Sequence, residues 1–181
     1  VNRILDFSSA SEGSMRMERR VFDLPGFLEL LRQSVAGTAL EKRLLLSVAR
    51  APSIPSTVAG DERHLEEVLR ILLDNAVKYT RTGTVECSVQ YAPDGGADDA
   101  CRLLFVVADS GPGIPPAERE RVFDRFYRGV VSGEDGTRGG SGLGLSIVRA
   151  IAERHGAHVI LDEAVLGGLR VRVIFAADAK A

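Results

Sequence analysis

From Asp61 onward, Leu65, Val68, Leu69, Leu72 and Ala76 recur at i, i+3, i+4, i+7 and i+11, the apolar stripe of an amphipathic helix with Asp61 as its cap. At ~100° per residue, Ile71, Asn75 and Lys78 share a second face flanking that stripe, and Asp74 points nearly opposite it. Asn75 is therefore expected at the edge of the core. A second helix is predicted after Asp23, where Leu24-Pro25 is a start signal and Phe27, Leu28, Leu31 and Val35 recur at helical spacing. This helix should cover a sheet. Residues 1–14 read as a helix end that stops at Gly13, 44–49 as a short strand, and 51–60 as a loop containing Pro52 and Pro55.

The rest of the chain alternates between strand and helix patterns. Val85, Cys87, Val89 and Tyr91 alternate with Glu86, Ser88 and Gln90, a half-buried strand, and a polar loop follows over 93–99. Residues 103–108 are continuously apolar, as in a strand covered on both faces or at a sheet centre, and the run ends in Asp109. Pro115-Pro116-Ala117-Glu118 opens a short helix, whereas 128–140 is glycine-rich without periodicity and is expected to be mobile. A helix runs from near Gly142 to His155 and stops at Gly156; strands at 159–161 and 169–175 flank a Gly167-Gly168 hairpin. Strands arrive both by close hairpins and across helical connections. The fold class is therefore α+β, a two-layer α/β sandwich with helices on one face of a mixed sheet of about five strands, and a regular βαβ winding is disfavoured.

Composition narrows the function. A chain of 181 residues, 45% hydrophobic, supports one main domain. A formal charge of −2 without a sustained basic run argues against nucleic acid as a partner. Cys87 and Cys101 lie in apolar runs with neither metal-ligand nor paired secretory spacing, which fits a reducing, cytoplasmic setting. The longest apolar runs, 103–108 and 171–177, are far too short to span a membrane. The chain begins at Val1 without a charged-then-apolar leader, so it is expected to be a piece of something longer.

Several residues can carry chemistry. Asp109 enters Gly111-Pro112-Gly113, so its carboxylate is either a turn starter or an acceptor at the sheet rim for a purine amino group, with Gly111 and Gly113 letting a ligand approach the backbone. Asn75 offers a neutral oxygen suited to Mg2+, or else satisfies nearby backbone; Lys78, one turn on, meets a phosphate or is solvated. Tyr79 stacks on a base or belongs to the core. Gly140, Gly142 and Gly144 lead into a helix whose free amides attract phosphate, or merely allow tight packing; the Lys-Ser/Thr ending of a P-loop is missing. Arg125 and Arg128 bracket Phe126-Tyr127, either as cations within reach of a terminal phosphate beside aromatics that anchor a lid or as solvated arginines around a hydrophobic plug. His64, His155 and His158 show no partner suggesting catalysis or a metal site and are read as structural or exposed.

Taken in order, Leu73 to Tyr79, Asp109 to Gly113, Phe123 to Tyr127, and Gly140-Ser141-Gly142-Leu143-Gly144-Leu145 resemble the asparagine, first glycine, phenylalanine and second glycine boxes of the catalytic domain of sensor histidine kinases, relatives of the gyrase-type ATPases. The resemblance covers about residues 19 to 177 and implies a Bergerat-type fold with a mobile ATP lid. It implies that Asn75 holds Mg2+, that Lys78 and Arg128 contact phosphates and take part in catalysis, that Tyr79 lies near adenine and that Asp109 binds the adenine amino group. The glycine boxes, with Gly111, Gly113, Gly140, Gly142, Leu143 and Gly144, would complete the ATP site. Ile4-Leu5-Asp6-Phe7-Ser8 looks like the end of a dimerisation and phosphotransfer hairpin, giving residues 1–18 as hairpin end and linker and 19–181 as the catalytic domain.

The chain departs from the family pattern in three respects. Ile71 stands where another Asn is frequent, and where gyrase-type ATPases carry Glu, which disfavours a hydrolase. Leu169 follows Gly168 where Thr is usual, which puts phosphate contacts there in doubt. Leu65, Gly156 and Val159 follow the three histidines, so none has the acid that normally follows the phosphate-accepting His. The implied protein is a histidine kinase of a two-component system that passes the γ-phosphate of ATP to a histidine outside these residues. Its partners would be that dimerisation domain, a response regulator and, in the whole protein, a second copy of itself, while this chain would be monomeric. The rival is a nucleotide-binding regulatory module without phosphotransfer.

Overall fold

The computed structural model describes residues 18–92, 102–128 and 141–176. The helix end expected at 1–14, the loop expected at 93–99, Cys101, Gly140 and most of the expected lid lie outside the described residues. In chain order the elements are β1 (Arg20–Asp23), α1 (Leu24–Glu41), β2 (Leu45–Arg50), β3 (Thr57–Gly60), α2 (Glu62–Tyr79), β4 (Thr84–Tyr91), β5 (Arg102–Asp109), α3 (Gly144–Arg154), β6 (His158–Glu163) and β7 (Leu169–Ala176). Single 3₁₀ turns at Pro116–Glu118 and Arg121–Phe123 lie between β5 and α3.

Five strands form one sheet in the order β2-β4-β5-β7-β6, with β2 parallel to β4 and every other pair antiparallel. The sheet is mixed because β2 reaches β4 across α2, whereas β6 and β7 are joined by a hairpin that Gly167 turns at φ 90°. Val85, Cys87 and Val89 of β4, Leu103, Phe105 and Val107 of β5, and Val171, Val173 and Phe175 of β7 point to the helical side and are buried. Against them pack Leu28, Leu31 and Val35 of α1, the whole predicted stripe of α2, and Val148, Ile151 and Ala152 of α3. The α+β sandwich with helices on one face is thus the observed architecture. Among the described residues, no helix is long and apolar enough to cross a membrane.

The predicted cap is present, with Asp61 accepting from the His64 amide at 3.1 Å, and Asp23, just before the start signal of α1, caps that helix by accepting from the Gly26 amide at 2.8 Å. The other end of α2 is held by a residue that no local pattern marks. The Lys42 ammonium donates to the carbonyls of Val77, Lys78 and Thr80 at 2.6, 2.7 and 3.1 Å, a cation on the negative end of the helix.

The sequence reading of 51–60 as loop is corrected at its end. Residues 57–60 pair with 20–23 as a separate two-stranded sheet, in the register Phe22↔Val58. Phe22 and Val58 are buried, so a short ribbon closes the core beside α1.

Candidate functional site

Asp109 ends β5 at the rim of the sheet and is only 8% exposed. Its neighbours leave no room for side chains. A Cβ at Gly168 would collide with the Asp109 carbonyl oxygen, and one at Gly111 would stand 2.8 Å from Oδ1 and 3.2 Å from the Thr80 hydroxyl. The Gly111 amide donates to Oδ1 at 2.7 Å, and the Leu169 amide approaches the same oxygen at 3.4 Å. Oδ2 has no donor among the described residues. Burial raises the pKa of Asp109, and these two amides oppose the rise in part. The carboxylate is therefore held by one oxygen and offers the other to a cavity of about 400 Å³.

One wall of that cavity is α2. Ile71, Asn75 and Lys78 line it as their shared face requires, and Tyr79, 39% exposed, joins them with its ring 4.9 Å from the Lys78 ammonium. Asp74, expected nearly opposite the stripe, also lines it, because the opening extends past the edge of the core. Val107, Ile114, Leu169 and Val171 supply apolar lining. Such a mixture, apolar walls with a few converging polar groups, is what a small-molecule site requires.

The opposite wall comes from the start of α3, where Ser141, Gly142 and Gly144 line the cavity. Gly142 has φ 68°, and its carbonyl accepts from the Phe126 amide at 2.9 Å; a Cβ there would stand 2.8 Å from the Phe126 backbone. A Cβ on Gly144 would stand 3.1 Å from Ile71. The glycines thus let two backbone segments close on one another and on α2. No side chain caps α3, so its first amides keep the donor character that suits an anion.

Of the residues singled out in the sequence, Asn75, Lys78, Tyr79, Asp109, Gly113, Arg128, Gly142 and Gly144 line this one cavity. Gly111 and Leu143 do not. Gly111 acts from beneath Asp109, and Leu143 turns its carbonyl into α3, accepting from the Ser146 hydroxyl and the Ile147 amide. Phe126 is 70% exposed, Phe123 and Tyr127 are half-buried against Arg149 and Arg121, and the lid that these aromatics are expected to anchor lies outside the described residues. Leu169 lines the same cavity as Gly142 and Gly144, with its amide 3.4 Å from Asp109 Oδ1. Sequence reasoning missed Thr80, whose buried hydroxyl makes no hydrogen bond among the described residues and lies next to Gly111. It also missed Ile114, Pro115, Glu118 and Val122, which close the cavity after the first glycine segment.

A family model described as histidine kinase-, DNA gyrase B- and HSP90-like ATPase matches residues 60–179. The chain is 35% identical over 163 residues to the sensory/regulatory protein RpfC of Xanthomonas campestris, covering 90% of the chain and 22% of that protein. It is 34% identical over 178 residues to the signal transduction histidine-protein kinase BaeS of Escherichia coli, covering 96% of the chain and 35% of BaeS. Among solved structures, full-length ShkA in complex with AMPPNP superposes with a TM-score of 0.79 at 27% identity, over 99% of this chain and 36% of ShkA. The chain thus spans about a fifth to a third of the length of these curated relatives.

Proposed function

Because the chain belongs to the histidine kinase-, DNA gyrase B- and HSP90-like ATPase family, we propose that it is the ATP-binding catalytic domain of a sensor histidine kinase, transferring the terminal phosphoryl group of Mg-ATP to a histidine outside these residues. The observation that carries this reading is Asp109: a buried carboxylate, anchored through Oδ1 alone, that faces a partly apolar cavity with Oδ2. A buried acceptor of this kind is matched by an exocyclic amino group on a flat base. Val107, Ile114 and Val171 would sandwich the base, with Tyr79 at its edge. The amides at the start of α3, together with Lys78 and Arg128, would take the phosphates.

Asn75 fits a Mg2+ role, since a single neutral amide oxygen on the cavity wall suits an ion that keeps most of its waters and binds phosphate oxygens. Mg2+ supplies charge neutralisation on the phosphates; the protein's own part is to hold the nucleotide in line for attack. Ile71 places a hydrocarbon where water activation would need a carboxylate, which disfavours hydrolysis and favours transfer to an external acceptor. In this reading residues 1–18 are the end of the dimerisation hairpin and 19–181 the catalytic domain. The whole protein is a cytoplasmic or cytoplasm-facing homodimer that phosphorylates a response regulator.

Ile71 and Leu169 also support a second reading, a module that holds nucleotide and regulates a partner without phosphotransfer. The deciding experiment supplies the phosphotransfer hairpin of the full-length protein with γ-labelled ATP. Label on the histidine supports the kinase; nucleotide binding with no label, in conditions where the full-length protein is active, supports the regulatory module.

A further inference from the structure

The start of α2 and the end of α3 bring Asp61 and His64, one helical turn apart, together with His155, which lies 91 positions beyond His64. Asp61, His64 and His155 converge with side chains only 7%, 4% and 10% exposed. His64 Nδ1 lies 2.8 Å from Asp61 Oδ2 and 3.0 Å from His155 Nε2, and the last two atoms are 3.9 Å apart. Read as hydrogen bonds alone, this set is frustrated. A ring nitrogen carries either a proton or a lone pair. A proton on His64 Nδ1 must be shared between Asp61 and His155, while its removal turns a lone pair on the Asp61 carboxylate.

A cation among the three atoms would remove the conflict, because each of them can offer it a lone pair. The circle through three points with these separations has a radius of about 2.0 Å, the ordinary length of Zn–N and Zn–O bonds, with the 3.9 Å pair nearly opposite across the centre, so a tetrahedral shell needs the side chains to shift on binding. We propose that Asp61, His64 and His155 form a site for a divalent cation of the Zn2+ class, bound by one carboxylate oxygen and two imidazole nitrogens, with water completing the shell. The ligand set, two imidazoles and one carboxylate, selects Zn2+ and its neighbours over Mg2+ or Ca2+, which prefer all-oxygen shells.

Second-layer support is in place: the Glu18 amide donates to Asp61 Oδ2 at 3.1 Å, and the His155 ring rests edge-on against Phe175. The sequence gives His64 and His155 no partner, and the structure brings both to Asp61. The site joins the two helices whose other ends form the cavity walls, so the cation would fix the spacing of α2 and α3 without touching nucleotide.

The test strips the purified chain with a chelator and titrates it with Zn2+ by calorimetry and thermal melting, with Co2+ as a spectroscopic probe. One equivalent of Zn2+ should bind, the melting temperature should rise, and Co2+ should show the intense visible absorption of a low-coordinate site with nitrogen ligands. Asp61→Asn keeps the helix cap while removing the charge. This change, His64→Ala and His155→Gln should each weaken Zn2+ by more than the roughly 10–100-fold cost of losing an outer-shell partner. A folded, stripped wild type that gives no binding heat and no melting shift overturns the site, as do variants that bind Zn2+ like the wild type. Should the variants fail to fold, the Co2+ spectrum of the wild type decides alone: the weak bands of hexaaqua Co2+ would overturn the site.

Discussion

Replacing Asp109 with Asn is the sharpest perturbation of the nucleotide site, because it alters charge and donor pattern while keeping shape. The amide oxygen can still accept the Gly111 N–H at 2.7 Å, so the local backbone keeps its anchor. The other position becomes an NH₂ facing the cavity, donor against donor for an adenine amino group. A hydrogen bond to a charged acceptor contributes about 1.5–3 kcal/mol, so losing it should weaken ATP by roughly 10- to 150-fold. Asp109→Ala should fall in the same range, without the added repulsion.

The same variant makes an opposite prediction for stability. The Asp109 pKa is raised by burial, so the folded state binds this proton more tightly than the unfolded chain does. The stability tied to that proton is present below the unfolded pKa and is lost as pH rises through the folded pKa. Wild type therefore carries a cost at neutral pH that Asp109→Asn does not. Chemical denaturation should show the variant at least as stable as wild type at pH 7, with its advantage shrinking as the pH is lowered through the acidic range. Calorimetric titration at pH 7 measures the affinity. Unchanged ATP affinity in a folded variant would refute the base-binding role, and an advantage that grows toward acid pH would refute the electrostatic account.

Asn75→Ala should remove most of the Mg2+-dependent part of ATP affinity while leaving the Mg2+-free affinity near wild type; a titration across a Mg2+ series checks this, and an unaltered Mg2+ response would rule out the metal role. Lys42→Met leaves three carbonyls at the end of α2 without their cation and should lower stability by about 1–3 kcal/mol, read from the urea midpoint. Gly168→Ala drives a methyl into the Asp109 carbonyl and should cost about 1–3 kcal/mol as the strand shifts, with a fall in ATP affinity because Asp109 moves with it.

What could be read from the sequence was what depends on neighbours along one element. The period of α2 placed Ile71, Asn75 and Lys78 on one face, and the structure puts all three on one cavity wall; the buried run ending in Asp109 placed a carboxylate at a sheet rim. Glycine positions signalled close approach but not its partner: Gly142 was expected to face a ligand, and its φ of 68° also lets the backbone pack against Phe126. Contacts between remote segments left no periodic trace. The pairing of β1 with β3, the reach of Lys42 to the end of α2, and the meeting of His155 with Asp61 and His64 are each set by how the helices lie on the sheet. Their residues are ordinary in their own surroundings: a lysine after a helix, a short apolar pair, a histidine before a terminating glycine. For the same reason, substitutions at Asp61, His64 and His155 ought to couple non-additively, since each shares one centre with the other two, whereas changes at Asp109, held by the Gly111 amide, and Lys42, which holds the carbonyls at the end of α2, should add.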